Sequence, residues 1–332
     1  MNKDSSETTR ETPKRQFDFI PFSTNKSYAS IVHTQKQKER LLVNQSIATN
    51  KRDFLEWFIG FFEAEGSCIF WTEKRRTRFR IEVSQQDKDL IYFIQKQVGL
   101  GNVTDVVPKG GNPYWRYLVE DLPTLLQLID LLNGNIVLQK KRTSFFKWLQ
   151  VFNTTHNTQI LFRDEAPQIT LTDGWLSGFL EGDGGFSVNQ NFIRDNKKSQ
   201  SYMVKQRFFI TQKDGIDLLN QIRILLKITP PLRKQAGKTV ISPKTGLKEK
   251  RVYDRLDTAT LESGTILLEY LTRFPFLGKR QLTVDAWGEL IEYRKTKFPV
   301  TASTTATIQK LIEQTRRIED QLQVNPSVLE IE

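Results

Sequence analysis

Residues 57–67 read WFIGFFEAEGS and residues 175–185 read WLSGFLEGDGG. Aligned at an offset of 118, Trp57 falls on Trp175, Gly60 on Gly178, Phe61 on Phe179, Glu63 on Glu181, Glu65 on Asp183 and Gly66 on Gly184. A chain that repeats a segment in this way folds as repeats of one unit, which restricts the architecture before any other property is weighed. A second echo follows each copy: VSQQD at 83–87 matches ITQKD at 210–214, with Gln85 on Gln212 at an offset of 127. The nine extra residues are assigned to the polar stretch Asn191 to Ser201, as a longer hairpin loop.

After each echo comes apolar periodicity of helical spacing, over Asp87 to Val98 (Leu90, Ile91, Ile94, Val98) and Asp214 to Lys227. A polar hairpin region, an apolar helix (Pro123 to Leu132; Leu261 to Phe274) and a basic aromatic helix opening near Lys140 or Lys279 complete each half. The expected fold is α+β, built from two pseudo-twofold-related αββαββα repeats, each with an antiparallel sheet. The expected boundaries are a first repeat at 51–157, a linker at 158–170 and a second repeat at 171–298. Residues 1–50 lack periodicity and read as a disordered or peripheral arm, while TATIQKLIEQTRRIEDQL within 299–332 reads as a C-terminal helix and tail.

Composition narrows the chemistry. Cys68 is the single cysteine of 332 residues and His33 and His156 are the two histidines, which excludes disulfide frameworks, cysteine zinc sites and histidine-centred nuclease motifs. Any metal must lean on carboxylates. The net charge is +11, of which residues 1–50 carry +3 and 301–332 carry −2, leaving +10 in the folded middle. Such a balance points to a polyanionic partner. The greasiest stretch, Leu122 to Leu138, is broken by Asp130, Asn133 and Asn135, so no membrane partner is expected. No apolar signal core opens the chain, and Asp4, Glu7 and Glu11 argue against a transit peptide.

In the repeated segment, Asp53 with Glu56, and Thr172 or Asp173, read as helix caps, and Gly66 and Gly184 as stops. Between them Gly60 and Ala64, and Gly178 and Gly182, leave a smooth stripe on which two helix backbones can approach closely. Packed along these stripes, the helices set Glu65 and Asp183 side by side. That placement is electrostatically unfavourable, because a helix C-terminus is partially negative and two carboxylates repel. A divalent cation relieves both effects, and Mg²⁺ suits hard oxygen ligands with several retained waters. Ions about 3.5–4 Å apart stabilise attacking and leaving oxygens in phosphodiester chemistry, with the carbonyls of Ala64 and Gly182 as further ligands. A tightly packed pair of helices with acids at solvated ends is the blander reading, which two aligned copies with a downstream echo disfavour.

The segments FIGFFEAEG (58–66) and LSGFLEGDG (176–184) resemble the LAGLIDADG motif of homing endonucleases, and the resemblance runs over roughly residues 51–320. It implies a monomeric two-repeat enzyme in which Glu65 and Asp183 bind the metals and drive hydrolysis. It also implies a curved antiparallel sheet in each half, the two forming a saddle in the DNA major groove. Gln85 and Gln212 are similar to the family's solvent-ordering residues. The basic residue that supports the reaction corresponds to Lys140, or its neighbour Lys141, in the first half and to Arg280, or Lys279, in the second. Glutamate stands in place of aspartate in the first motif, and the proline that precedes the basic residue is missing from NGNIVLQK. Resemblance to organelle-encoded members makes a mitochondrion or chloroplast the expected location.

Alternation in TRFRIEVS supports DNA reading independently: Arg78, Arg80, Glu82 and Ser84 share one strand face, and Phe79, Ile81 and Val83 the other. Lys205, Arg207, Phe209 and Thr211 are the counterparts in the second half. These residues are candidates for base edges, and Arg75, Arg76, Lys248, Lys250 and Arg251 for phosphates. Cys68, Trp148 and Trp287 read as core, His156 as surface, and Glu63 and Glu181 as makers of local or interdomain hydrogen bonds. The leading expectation is a site-specific endonuclease making a staggered cut in a long double-stranded target. Intron RNA maturation on the same fold, a non-catalytic DNA-binding regulator and a paired-carboxylate glycosidase are the alternatives, and retention of both acids favours cleavage.

Overall fold

A computed structural model describes residues 51–108, 111–194, 200–241 and 247–296, with side chains omitted at 189–205, 238, 240, 241, 249 and 296. The expected arm over 1–50 and the expected helix within 299–332 lie outside these residues. The first repeat runs α1 (Lys51–Glu65), β1 (Gly66–Glu73), β2 (Arg76–Gln85), α2 (Lys88–Val98), β3 (Asn102–Val106), β4 (Tyr114–Val119), α3 (Leu122–Leu132) and α4 (Gln139–His156). The second runs α5 (Trp175–Asp183), β5 (Gly184–Arg194), β6 (Gln200–Gln212), α6 (Ile216–Leu225), β7 (Arg233–Ile241), β8 (Lys248–Thr258), α7 (Leu261–Arg273) and α8 (Gln281–Thr296). The order is the same twice, as the echoes require.

Each repeat forms one antiparallel four-stranded sheet, ordered β1-β2-β4-β3 and β5-β6-β8-β7. In β2 the odd positions Phe79, Ile81 and Val83 are buried as expected, and of the even positions Arg78 and Arg80 are accessible while Glu82 and Ser84 are themselves buried, so the alternation holds only toward the hairpin tip. Phe152 and Trp148 of α4 meet Phe79 edge-on at ring distances of 5.2 and 5.4 Å. In the second repeat Trp287 of α8 meets Phe186 at 5.3 Å in the same edge-on manner. Both tryptophans are core residues, and burying each large ring contributes about 2 kcal/mol or more. His156 is exposed, with its ring 4.5 Å from Phe152.

Two expectations need correction. The nine extra residues of the second repeat do not all lengthen a loop: β5 and β6 are each three residues longer than β1 and β2, which leaves three between them. The short tip of the first hairpin is Lys74-Arg75, both at positive φ (45° and 68°), the conformation that a two-residue hairpin turn requires. The glycines stop the motif helices as expected, and they do so without a positive φ. Gly184 is extended (φ −74°, ψ 147°), and glycine is needed because a Cβ there would lie 2.6 Å from the Leu180 carbonyl oxygen. At Gly66 a Cβ would meet Phe62 at 2.1 Å. Asp53 does not precede α1 as a cap but lies within it, since Lys51 and Arg52 before it are already helical.

Candidate active site

Helices α1 and α5 pack against each other along the small-residue stripes. A Cβ at Gly60 would lie 1.9 Å from the Trp175 carbonyl oxygen, and one at Gly178 would lie 1.8 Å from the Trp57 carbonyl oxygen. The backbones are therefore in direct contact, and only glycine fits at either crossing position. Nearer the C-terminal ends, a Cβ at Gly182 would lie 2.3 Å from Ala64 Cβ, 3.0 Å from Glu65 Cγ and 3.4 Å from Glu65 Oε1.

Reciprocal hydrogen bonds across the interface fix the rotation of the two helices. Trp57 Nε1 donates to Glu181 Oε2 at 3.0 Å, and Trp175 Nε1 donates to Glu63 Oε1 at 2.9 Å. Each of these buried glutamates also grips a loop of its own repeat. Glu63 accepts from the backbone N–H groups of Val137 and Leu138 (2.9 and 2.6 Å), and Glu181 from those of Leu277 and Gly278 (2.8 and 2.6 Å). Burial pushes both carboxyls up to about 7, while the N–H donors act in the opposite direction.

At the C-terminal end of this pair Glu65 and Asp183 come together, each with one amide donor. Gln85 Nε2 donates to Glu65 Oε1 at 3.1 Å, and Gln212 Nε2 donates to Asp183 Oδ2. Burial, and after it the adjacent Glu65 carboxylate, push Asp183 up to about 7 against the opposing effects of Gln212, Lys141 and Arg280. Glu65 is raised by burial, against Arg280, Lys141 and Gln85. Among the described residues no three His, Cys, Asp or Glu side chains converge, so two carboxylates are the whole acidic donor set.

The basic residues sit at equivalent places. Lys141 Nζ donates to the Gly66 carbonyl, and Arg280 donates to the carbonyl of Gly184, the counterpart of Gly66, and to that of Gly182 at 3.2 Å. Burial lowers Lys141, against the pull of Asp183, Cys68, Glu65 and Glu63. Lys140, favoured from the sequence, is exposed, and the position near the acids belongs to Lys141. The reason is a one-residue difference in spacing: two residues separate the anchored Leu138 from Lys141, but one separates Gly278 from Arg280. Lys279 turns away to Asp87 and Asp89. Cys68 is partly buried and its thiol is pushed up to about 12 by burial.

The register assigns the other candidates. On the outward face of the first sheet Arg78 lies opposite Trp71, Arg80 opposite Ile69, Glu82 opposite Ser67 and Leu118, and Ser84 opposite Arg116. Arg75 and Arg76 stand exposed at the hairpin tip. In the second sheet Arg207 lies opposite Ser187 and Thr211 opposite Arg255. Lys205 pairs with Asn189, and its side chain is outside the described residues. Arg251 shares a strand face with Tyr253 and Arg255, whereas Lys248 and Lys250 alternate onto the other face of β8. Sequence reasoning missed Arg116 and Arg255. Arg116 contacts Ser84, Tyr114 and Glu82, while Arg255 contacts Thr211, Gln235 and Asp257 and stacks on Phe209 at 4.0 Å. The signal was present in a third echo, YWR at 114–116 against YDR at 253–255.

Two repeats joined by a glycine-tight helix pair, with one acid of each meeting at its end, define a class of protein in which duplication itself brings two carboxylates together. The model of the LAGLIDADG endonuclease family matches residues 58–152 and 176–291, and the chain belongs to this family. A probable intron-encoded endonuclease 4 of Neurospora crassa is 29% identical over 234 residues, covering 70% of this chain and 39% of that protein. The intron-encoded RNA maturase bI4 of Saccharomyces cerevisiae is 26% identical over 182 residues, covering 54% of this chain and 25% of that one. The chain thus spans about two fifths or less of the length of these relatives. The solved structure of the I-LtrWI LAGLIDADG homing endonuclease bound to target DNA shares the fold, with a TM-score of 0.60 and 16% identity over 80% of this chain and 98% of that one.

Proposed function

We propose that the chain is a site-specific double-stranded DNA endonuclease that hydrolyses phosphodiesters with a divalent cation, Mg²⁺, held by one acid of each repeat. The observation that carries this reading is the meeting of Glu65 and Asp183, each with its glutamine, between Lys141 and Arg280. The donor set fits such an ion: two hard oxygen donors stand together at the helix C-termini, partly buried and raised in pKa, with the Glu65 carboxylate adding to the rise at Asp183. Glu65 and Asp183 would hold it, with the carbonyls of Ala64 and Gly182 as further ligands. Bound there, the cation supplies Lewis-acid polarisation of the phosphate and lowers the pKa of an attacking water.

The chain's own residues do the rest. Gln85 and Gln212 fix the rotamers of the acids and orient solvent near them. Lys141 and Arg280 place positive charge where the scissile phosphate and its leaving oxygen gain negative charge. The outward sheet faces, with Arg78, Arg80, Glu82, Ser84, Lys205, Arg207 and Thr211, present donors and acceptors to major-groove base edges. Arg75, Arg76, Lys248, Lys250 and Arg251 neutralise phosphates at the periphery. In this reading the chain acts as a monomer on a long target, repeats at 51–157 and 171–298 joined by 158–170 each cut one strand, and the intron-encoded relatives support intron homing in an organelle.

Substituting Glu65→Gln or Asp183→Asn should abolish double-strand cleavage in Mg²⁺ and leave target binding within about threefold, because each change is isosteric and removes only charge. Full cleavage by either variant in a plasmid assay would contradict the assignment. The similarity to a maturase favours a second reading, assistance to intron RNA splicing. A doubly substituted protein that no longer cuts DNA but still promotes splicing of its intron would separate the two roles.

A further inference from the structure

We infer that Asp87 is a positioning residue that holds Arg280 from the opposite repeat, and that the lack of an equivalent anchor in the second repeat makes the two reaction centres unequal. The inference rests on the endonuclease reading above. The segment Gln85 to Asp87 leaves β2 and serves both repeats: Gln85 donates to Glu65, and Asp87 reaches across to the loop that presents Arg280. Asp87 is 4% exposed. Its Oδ1 caps α2 by accepting the Leu90 N–H at 3.4 Å, and its Oδ2 accepts the backbone N–H of Lys279 at 2.7 Å. Lys279 Nζ lies 3.4 Å from the same carboxylate and 3.3 Å from Asp89.

Just before this point Glu181 takes the N–H groups of Leu277 and Gly278. Three consecutive N–H groups are thus gripped by two buried carboxylates, one from each repeat. The grip is tight enough to exclude a side chain, since a Cβ at Gly278 would lie 2.8 Å from Asp87 Oδ2 and 2.9 Å from Glu181 Oε1. Arg280 follows directly, with its guanidinium across the carbonyls of Glu181, Gly182 and Gly184 beside Asp183. A backbone fixed at Lys279 leaves the Arg280 side chain little freedom to swing away.

The second copy of the segment does not repeat the arrangement. Asp214, the counterpart of Asp87, has φ +55°, is exposed, and makes no hydrogen bond or ion pair among the described residues. Gly215 takes the cap position of α6 without a side-chain bond. Ahead of Lys141 the backbone is gripped by Glu63 through Val137 and Leu138, with no carboxylate of the second repeat accepting from it among the described residues, and Gln139 and Lys140 between anchor and base are exposed.

The test is single-turnover cleavage of a duplex recovered by binding selection from a randomised library, with a different label on each strand. Asp87→Ser keeps a helix-capping oxygen but is too short to reach Lys279. It should slow one strand about tenfold and the other less than about twofold, since small displacements of a charged group near the reacting atoms carry effects of that size or larger. The slowed strand should be the one that Arg280→Met also slows, and nicked duplex should accumulate. Gly278→Ala, which forces the same anchor apart, should reproduce the selectivity, and Asp214→Ser should leave both rates unchanged. Hydrogen exchange in Asp87→Ser should rise at residues 279–281 and stay unchanged at 137–141. Equal slowing of both strands, selectivity for the strand that Arg280→Met spares, or an Asp214→Ser protein that behaves like Asp87→Ser would overturn the inference. An unsubstituted protein that binds the selected duplex and cuts neither strand would sink the endonuclease reading and this inference with it, whereas a cutting protein with an unselective Asp87→Ser variant sinks this inference alone.

Discussion

Four carboxylic acids at the interface share one condition: burial has raised their pKa values, Glu63, Glu181 and Asp183 to about 7, with Glu65 raised as well. The unfolded chain holds aspartate at its ordinary 3.8 and glutamate at 4.5, so the folded protein binds more protons across this window. An acid raised on folding contributes stability that is intact below its unfolded value and is lost as pH climbs through its folded one. With divalent cations chelated, the melting temperature should therefore fall between about pH 4.5 and pH 7.5. Adding Mg²⁺ should restore it at pH 8 and change little at pH 5, where protons compete for the same oxygens. A chelated protein with a flat or rising melting curve over that range would mean that these acids ionise freely. At this scale the paired acids and their glutamines were readable because they recur at fixed offsets. The partners of Glu63 and Glu181 were not, since the tryptophans that bond them lie 112 and 124 residues away and no local pattern encodes the pairing. Lys141 stood in the sequence only as the alternative to Lys140, for a different reason: the two repeats differ by one residue between loop anchor and base, a shift that no motif alignment registers.

Between elements, the helix pair is where substitutions should tell most. Gly178→Ala places a methyl 1.8 Å from a backbone oxygen that no rotamer change can move, so the helices must separate. We expect a loss of about 3 kcal/mol in urea unfolding, against a change of under about 1 kcal/mol for Gly264→Ala, whose new methyl meets only the tip of Ile291 at 3.0 Å. Similar losses from the two variants would argue that the close approach has been overestimated. The element order was legible because helical and strand periods alternate twice in step. The extension of the β5–β6 hairpin was not, because polar alternation in an outward strand looks the same as a loop until its pairing is known.

For the molecule as a whole, the two outward faces act through summed charge. If the +10 of the middle region meets DNA phosphates, target affinity should fall by about 1,000-fold or more between about 50 and 200 mM salt, the loss expected when six or more phosphates are neutralised. Arg116→Ala and Arg255→Ala should weaken binding to the preferred sequence more than binding to random duplex, because both arginines are held by neighbours in one orientation. Equal losses on both duplexes in titrations would reduce them to phosphate contacts. Among the described residues no helix is long and apolar enough to cross a membrane. The Trp57–Glu181 and Trp175–Glu63 bonds carry a last consequence. Each repeat owns both a donor and an acceptor for that exchange, so the hydrogen bonds do not distinguish a foreign mate from a copy of itself, and only the small residues do, since Ala64 needs a glycine opposite it. The second half, with glycine at both stripe positions, meets the chemical terms for joining its own duplicate once cut free of the connector, whereas a duplicate of the first half would set Ala64 against Ala64, where a Cβ in place of Gly182 already comes within 2.3 Å.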